Sequence, residues 1–392
     1  MESKYITLAE GVEKIIDYRG KTPKKMGGDW VENGIRTISA KNVHNGVLDN
    51  LDSIRCVSEE VYEKWMKEKI QRNDIFLASE GASMGESMIW ESDEQIVLGQ
   101  RLFAVRANPD ILNPFYLAMY MRTPEYRAEL ENHCTGTSVL GLSQPSLLKT
   151  KIRYIPIEMQ NFIGNLYQNF CNKISTNNKI NNNLLNQAQA LYKQFFPYSI
   201  ADELPTNWRI GTVGDVIEIH DSKRIPLSGA QRAKMENRIY PYYGAASLMD
   251  FVDNYIFDGK YLLLGEDGTV VDANGFPILQ YVWGKFWVNN HAHILTGKQG
   301  FNVESLYMLF KQTPVNSIVT GAVQLKISQA NLRSIQIVIP PADVLANYNQ
   351  QVEGMFSLIR CNEDENKVLA SLRDSILPKL MSGEIDISSL DF

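Results

Sequence analysis

Residues 136–156 read GTSVLGLSQPSLLKTKIRYIP, and residues 321–341 read GAVQLKISQANLRSIQIVIPP. At a constant step of 185 residues they share Gly136 with Gly321, Leu140 with Leu325, Ser143 with Ser328, Gln144 with Gln329, Leu147 with Leu332, Ile152 with Ile337 and Pro156 with Pro341. Ungapped matching of that extent marks an internal duplication, and a duplication decides the architecture before any single motif does. Working outward, Ile75-Phe76-Leu77-Ala78 with Glu80 matches Tyr261-Leu262-Leu263-Leu264 with Glu266 at a step of 186. Thr123-Pro124 matches Thr313-Pro314 at 190, and residues 35–38 loosely match 239–242 at 204. Such drift is expected where surface loops change length while buried strands persist. The short apolar runs at 75–78 and 261–264 read as buried strands.

Each copy ends in a long helical pattern. Ile163, Phe170, Asn177, Leu184 and Leu191 recur every seven residues, as do Tyr348, Met355, Asn362, Leu369 and Ile376, and the two sets again lie 185 apart. Leu166, Ile174, Ile180, Ala188 and Phe195 fill in the first seam, and Val352, Ile359, Leu372 and Leu380 the second, which is the pattern of a coiled coil. Asn177 and Asn362, each central in its seam, are expected to lower stability and fix register. The ten asparagines between Asn161 and Asn186 would otherwise suggest a disordered tract. Heptad-spaced apolar residues, bracketed by Pro156 and Pro197, argue for a helix instead.

The chain has 392 residues, 44% of them hydrophobic, enough for two or three domains with their own cores. Its four cysteines, Cys56, Cys134, Cys171 and Cys361, are scattered without a C-x-x-C pair, so neither a disulfide framework nor a cysteine zinc site is indicated. No apolar leader and no run of eighteen apolar residues is present, so the reading is a soluble, cytoplasmic protein with no membrane partner. A formal charge of -6 argues against charge-driven coating of nucleic acid, and any DNA binding requires a local basic face.

Catalytic signatures are absent or weak. Asn113-Pro114-Phe115-Tyr116 approaches the Asn-Pro-Pro-Tyr motif of amino-methyltransferases but lacks its second proline, has no G-x-G loop upstream, and is replaced by Asn302-Val303-Glu304-Ser305 in the second copy. It reads better as an asparagine cap followed by proline at the first helical position. His291 and His293 sit where the first copy has Arg101 and Phe103, with no third ligand at metal spacing, so neither a metal nor a cofactor is expected. Glu80 and Glu266 read as a matched structural pair more readily than as general acid and base.

The informative charge lies in the loop after the first strand of each copy. Arg19, Lys21, Lys24 and Lys25 surround Pro23 with no acid among them, and Lys223, Arg224, Arg232, Lys234 and Arg238 follow the matching loop around Pro226 against Glu236 alone. Two equivalent basic loops in an acidic chain point to two phosphate-tracking surfaces. Gln100, Asn289, Asn290 and Gln324 are suited to adenine, and Arg36 and Arg238 to guanine.

Further features are Leu8-Ala9-Glu10-Gly11-Val12 with its counterpart at 210–216, the strand Tyr240-Pro241-Tyr242-Tyr243-Gly244-Ala245, the two S-Q-x-x-L segments and the closing stretch from Leu372 to Ile385. Together with the duplication, these make the chain resemble, over essentially its full length, the specificity subunit of type I restriction-modification systems. The resemblance implies an α+β fold: a target recognition domain at 1–156, a long helix at 157–200, a second recognition domain at 201–341, a long helix at 342–383 and a tail at 384–392. It implies two antiparallel helices with pseudo-twofold symmetry holding two β-rich domains, each reading half of a split site in double-stranded DNA. It also implies catalysis by partners, namely two DNA adenine methyltransferase subunits docked on the helices and restriction-translocase subunits recruited through them, so this chain itself is expected to be non-catalytic. A self-contained DNA methyltransferase or nuclease and a protein-binding assembly scaffold are the competing readings.

Overall fold

The structure, a computed structural model, describes residues 4–134, 141–321 and 324–385. Gly136 and Leu140 of the repeated segment, and tail residues 386–392, lie outside the described residues. The rest of the repeated segment forms the same local structure twice. Ser143 caps the helix Gln144–Leu148 by accepting from Ser146 N at 3.2 Å, and Ser328 caps Gln329–Ser334 by accepting from Asn331 N at 3.2 Å. Serine suits both places because its oxygen satisfies an N–H that has no intrahelical partner. Leu147 and Leu332, four residues on from these serines, are wholly buried. The strands that follow, Lys151–Tyr154 and Gln336–Ile339, pair antiparallel with the opening strands Lys4–Thr7 and Arg209–Thr212.

The chain divides into two compact units, residues 1–174 with 367–392, and residues 175–366. In the first, an antiparallel sheet runs in the order Val12–Asp17, Leu102–Ala107, Ile75–Ala78, Ser87–Ile89. Ile75–Ala78 and Leu102–Ala107 are buried throughout because both sheet faces are covered. Ile75, Leu77, Phe103 and Val105 enter one core with the helices Pro114–Tyr120 and Pro124–His133. Phe76, Ala78, Leu102 and Ala104 enter a second core, shared with a second sheet ordered Val97–Leu98, Ile35–Ile38, Arg55–Val57, Trp30–Val31.

The second unit repeats this plan. One sheet runs Ile217–Ile219, Ala292–Gly297, Tyr261–Gly265, Leu279–Val282, and the other Leu248–Val252, Tyr240–Tyr243, Lys285–Val288, Phe257–Asp258. Leu262 and Leu264 point into the core that holds the helix Val303–Phe310, and Leu263 into the core with Phe286 and Val288. Each second sheet contains one parallel pair, Ile35–Ile38 with Val97–Leu98 and Tyr240–Tyr243 with Lys285–Val288.

The long helices are Ile157–Phe195, of 39 residues, and Ala342–Ser382, of 41. At ~1.5 Å per residue each extends about 60 Å. In the first unit, Ile163 and Tyr167 share a core with Leu377, Leu380 and Met381. In the second, Ala188 and Tyr192 share one with Leu345, Tyr348 and Val352. Early residues of one helix thus meet late residues of the other, an antiparallel arrangement.

Of the expected seam, Ile163, Asn177, Tyr348 and Asn362 are buried, and Phe170, Leu184, Leu191, Met355, Leu369 and Ile376 are partly buried. The filling positions need correction. Ile180 and Leu372 are 40% and 39% exposed, while Asn181 and Arg373 beside them turn inward. Choosing by apolar type skipped the polar residues that hold the true heptad positions.

Candidate nucleic-acid interface

In the first unit the loop after Val12–Asp17 is tied to the sheet by its own cations. Arg19 donates Nε and Nη2 to the two Asp17 carboxylate oxygens at 2.9 and 2.8 Å and Nη1 to Leu142 O at 2.8 Å, and its guanidinium lies 4.0 Å over the Phe103 ring. Lys21 Nζ donates to Trp65 O at 3.0 Å and Lys25 Nζ to Gly20 O at 2.7 Å. The Gln100 amide is engaged with the same loop, donating to Lys21 O and accepting from Gly20 N. Arg36 holds Glu94 in a two-pronged ion pair, whose hydrogen bonds raise the arginine above its ordinary value. Of the basic residues singled out in this unit, Lys24 is the one with an exposed side chain and no bonded partner among the described residues.

This loop forms one wall of a cleft of about 1190 Å³. Lys21, Lys24, Lys41, Arg55 and Arg101 line it against two acids, Asp29 and Glu80. The surplus of positive charge is therefore local, as an acidic chain that binds nucleic acid requires. Lys41, Arg55 and Arg101 were missed by sequence reading because they lie outside the basic loop in the chain and come to it only through the fold. Arg101 is paired with Glu80 at 3.0 Å. Arg55 lies over the Trp30 ring at 3.9 Å. Two buried groups that line the cleft, Thr37 Oγ1 and Trp65 Nε1, have no hydrogen-bond partner.

In the second unit the matching loop divides its cations into two kinds. Arg224 is turned inward, donating Nη1 to Glu266 Oε2 at 2.6 Å and to Ala292 O at 2.8 Å, with Nη2 at 3.4 Å from Asp221. Arg232 donates to Asp250 at 2.9 Å and to Leu227 O at 2.7 Å and covers the Tyr242 ring. Lys223 and Lys234 are exposed without a bonded partner among the described residues, and Arg238, at a φ of 47°, is exposed with one long side-chain bond to Arg232 O. Asn290 and Gln324 are exposed, whereas Asn289 is buried and accepts from His291 N.

His293 is wholly buried, its Nδ1 at 2.6 Å from Asp221 Oδ2 and its Nε2 at 2.8 Å from Ile327 O. Burial works to raise the Asp221 carboxyl, but the hydrogen bond and charge of His293, the Ile294 N–H and Arg224 outweigh it and hold it below the usual carboxylate range. Asp221, Glu266 and His293 offer ligand atoms within 4.8 Å of one another. Arg224 and Gln329 Nε2, the latter 2.6 Å from Asp221, already occupy that space. A cation is thus supplied by the chain itself, and the cluster anchors the loop. In the first copy Arg19 makes the equivalent connection, from Asp17 to the carbonyl of Leu142, 185 residues before Ile327.

The backbone also corrects one sequence match. Ser79 N donates to Arg101 O and Glu266 N to His291 O, while Glu80 bridges Gly141 and Asp267 bridges Lys326. The counterpart of Glu80 is therefore Asp267, and the step there is 187, not 186. Where Arg101 is paired with Glu80 in the first copy, His291 Nδ1 meets the Asp267 carboxylate in the second.

The Asn-Pro-Phe-Tyr stretch is a helix start. Asn113 Oδ1 accepts from Phe115 N and Tyr116 N at 2.9 and 3.1 Å, and Tyr116 is wholly buried with its hydroxyl donating to Arg153 O. No helix among the described residues is long and apolar enough to cross a membrane.

The fold and cleft define a class: a duplicated sheet domain carried on a pair of antiparallel helices, with cations gathered in the first unit beside the loop after Val12–Asp17. Residues 205–373 match the family model of the type I restriction modification DNA specificity domain. A Haemophilus influenzae protein assigned as a type I restriction enzyme specificity subunit is 33% identical over 130 residues, 33% of this chain and 32% of that protein. A type I restriction enzyme specificity subunit of Methanocaldococcus jannaschii is 24% identical over 306 residues, 70% of each chain. The match to the first relative thus spans only about a third of that protein. The crystal structure of the S subunit of a type I restriction-modification system from M. genitalium superposes with a TM-score of 0.55 at 15% identity, covering 97% of this chain and 96% of that one, which shows a shared fold. The chain is thus similar in sequence to type I specificity subunits and shares the fold of one of them.

Proposed function

We propose that this chain is the DNA-recognition subunit of a type I restriction-modification complex, and that it is itself non-catalytic. The cationic cleft of the first unit carries the proposal: five basic side chains against two acids, in a chain of net charge -6. In this reading Lys24, Lys41, Lys223, Lys234 and Arg238 meet phosphates. Arg19, Arg224 and Arg232 act indirectly, by holding the loops that carry them. Each duplicated domain reads one half of a bipartite site. The long helices dock two adenine methyltransferase subunits, and through them restriction-translocase subunits.

The test is a domain graft. Replacing residues 1–156 by those of a relative with a different specificity, in the assembled methyltransferase complex, should change one half of the methylated sequence and leave the other intact. Alterations in both halves would refute independent reading. Methyl transfer from labelled S-adenosylmethionine by the lone chain would refute the non-catalytic assignment.

A further inference from the structure

We propose that Arg55 is the guanine-reading side chain of the first unit, held ready by Trp30. The inference rests on the DNA-reading function proposed above and assigns one of its contacts.

Every other arginine described in this unit is committed within the fold, to a carboxylate or to a backbone carbonyl. Among the described residues, Arg55 has neither a hydrogen bond nor an ion pair. Its guanidinium lies over the Trp30 ring at 3.9 Å, a contact that fixes the plane while leaving the N–H edge free. Arg55 opens the strand Arg55–Val57 and pairs directly with Thr37 on Ile35–Ile38, so the two side chains share a face and both line the cleft. Thr37 Oγ1 is buried and unpartnered there, a second polar group without a partner inside the protein.

A guanidinium offers donors only, and its paired N–H groups match two acceptors in one plane. In the major groove, guanine presents that pair through O6 and N7. A backbone phosphate would also accept two hydrogen bonds, but the cleft already carries Lys24 and Lys41 for that purpose, compact point charges on flexible stems, Lys41 with one long bond to Ser53 O. A guanidinium immobilised on an aromatic face matches a target whose position is fixed by the duplex. Ordering the side chain before binding also lowers the entropic cost of recognition.

The experiment uses the complex with its methyltransferase partners, carrying wild-type chain, R55A, R55K or W30L, presented with a randomised duplex library and read by sequencing methylated sites. R55A is expected to relax one G·C position in one half-site by about 10- to 100-fold, with the other positions unchanged. R55K keeps the charge and should preserve the salt dependence of binding while losing most of the same discrimination. W30L should relax the same position less. An unchanged motif in R55A would overturn the proposal. So would an equal loss for all sequences with a salt slope lowered by about 0.9, since that is the signature of a phosphate-binding side chain. A wild-type complex without any sequence preference would instead defeat the DNA-reading function itself, which separates the two failures.

Discussion

Asn177 of the central helix and Asn366 of the C-terminal helix are joined by a hydrogen bond of 2.9 Å, Nδ2 of the first donating to Oδ1 of the second, and both are nearly fully buried. A second bond, 2.8 Å from Asn362 Nδ2 to Asn181 Oδ1, repeats the arrangement. Because Asn177 and Asn362, like Asn181 and Asn366, lie 185 residues apart, the duplication converts one pair into the other. Asn177 and Asn362 therefore do not face one another, and each is satisfied by an asparagine that the apolar pattern passed over.

This pairing predicts strong coupling. Asn177→Ala should destabilise the protein by about 1–3 kcal/mol because it strips the buried Asn366 amide of a partner. Replacing both by leucine should be close to neutral, at the expense of a fixed helix register. A double-mutant cycle in urea should return a coupling energy of at least about 0.5 kcal/mol, and simple additivity would contradict the pairing.

The two kinds of loop cation should separate in experiment. Arg224→Ala takes the guanidinium away from buried Asp221 and leaves Glu266 with Lys326 alone at 3.3 Å, and should cost about 2 kcal/mol of stability. Lys24→Ala with Lys41→Ala should leave unfolding almost unchanged and lower the salt slope of DNA binding by up to about 0.9 for each phosphate that is no longer neutralised. Denaturant titration and binding isotherms over a range of salt check both outcomes.

Glu304 predicts an acid-sensitive site in the second unit. Its wholly buried carboxylate accepts from Lys260 Nζ and the Tyr281 hydroxyl, each at 2.7 Å, and from Arg360 Nη1 at 3.1 Å. Burial works to raise the carboxyl, but the hydrogen bonds from Lys260 and Tyr281 overcome it and hold it below its ordinary value. A carboxyl lowered on folding contributes stability above its unfolded value, about 4.3, and loses that contribution as pH falls through the folded value. Glu304→Gln should lower stability at neutral pH by about 3 kcal/mol and flatten this part of the acid dependence, as melts between pH 7 and 3 would show.

Asn113→Ala tests the helix-cap assignment. Removing its two cap bonds should cost about 1 kcal/mol. With Tyr116 buried, methylation by the assembled complex at saturating DNA should be unchanged. A selective loss of methyl transfer, without loss of stability, would restore the base-holding reading of this motif.

The amino-acid order by itself determined the duplication, the two long helices, the fully buried strands at 75–78 and 261–264, and the asparagine cap at Asn113. Each of these is a local or periodic property: a cap needs one oxygen beside its own helix, and a heptad needs only regular spacing. What the tertiary structure alone decided is which charges are free. Arg19, Arg36, Arg224 and Arg232 resemble Lys24 and Lys223 in the sequence, but carboxylates at Asp17, Glu94, Glu266 and Asp250 meet them in the fold. Arg55 and Lys41 look ordinary in the chain, yet the pairing of Arg55 with Thr37 and the short helix Ala40–Asn42 bring them into the same cleft as Lys24. Charge balance at a surface depends on distances between residues remote in sequence, so residue type and spacing do not reveal it. The seam shows the same division, since polar Asn181 and Asn366 become interior residues only through the partner helix that supplies their hydrogen bonds.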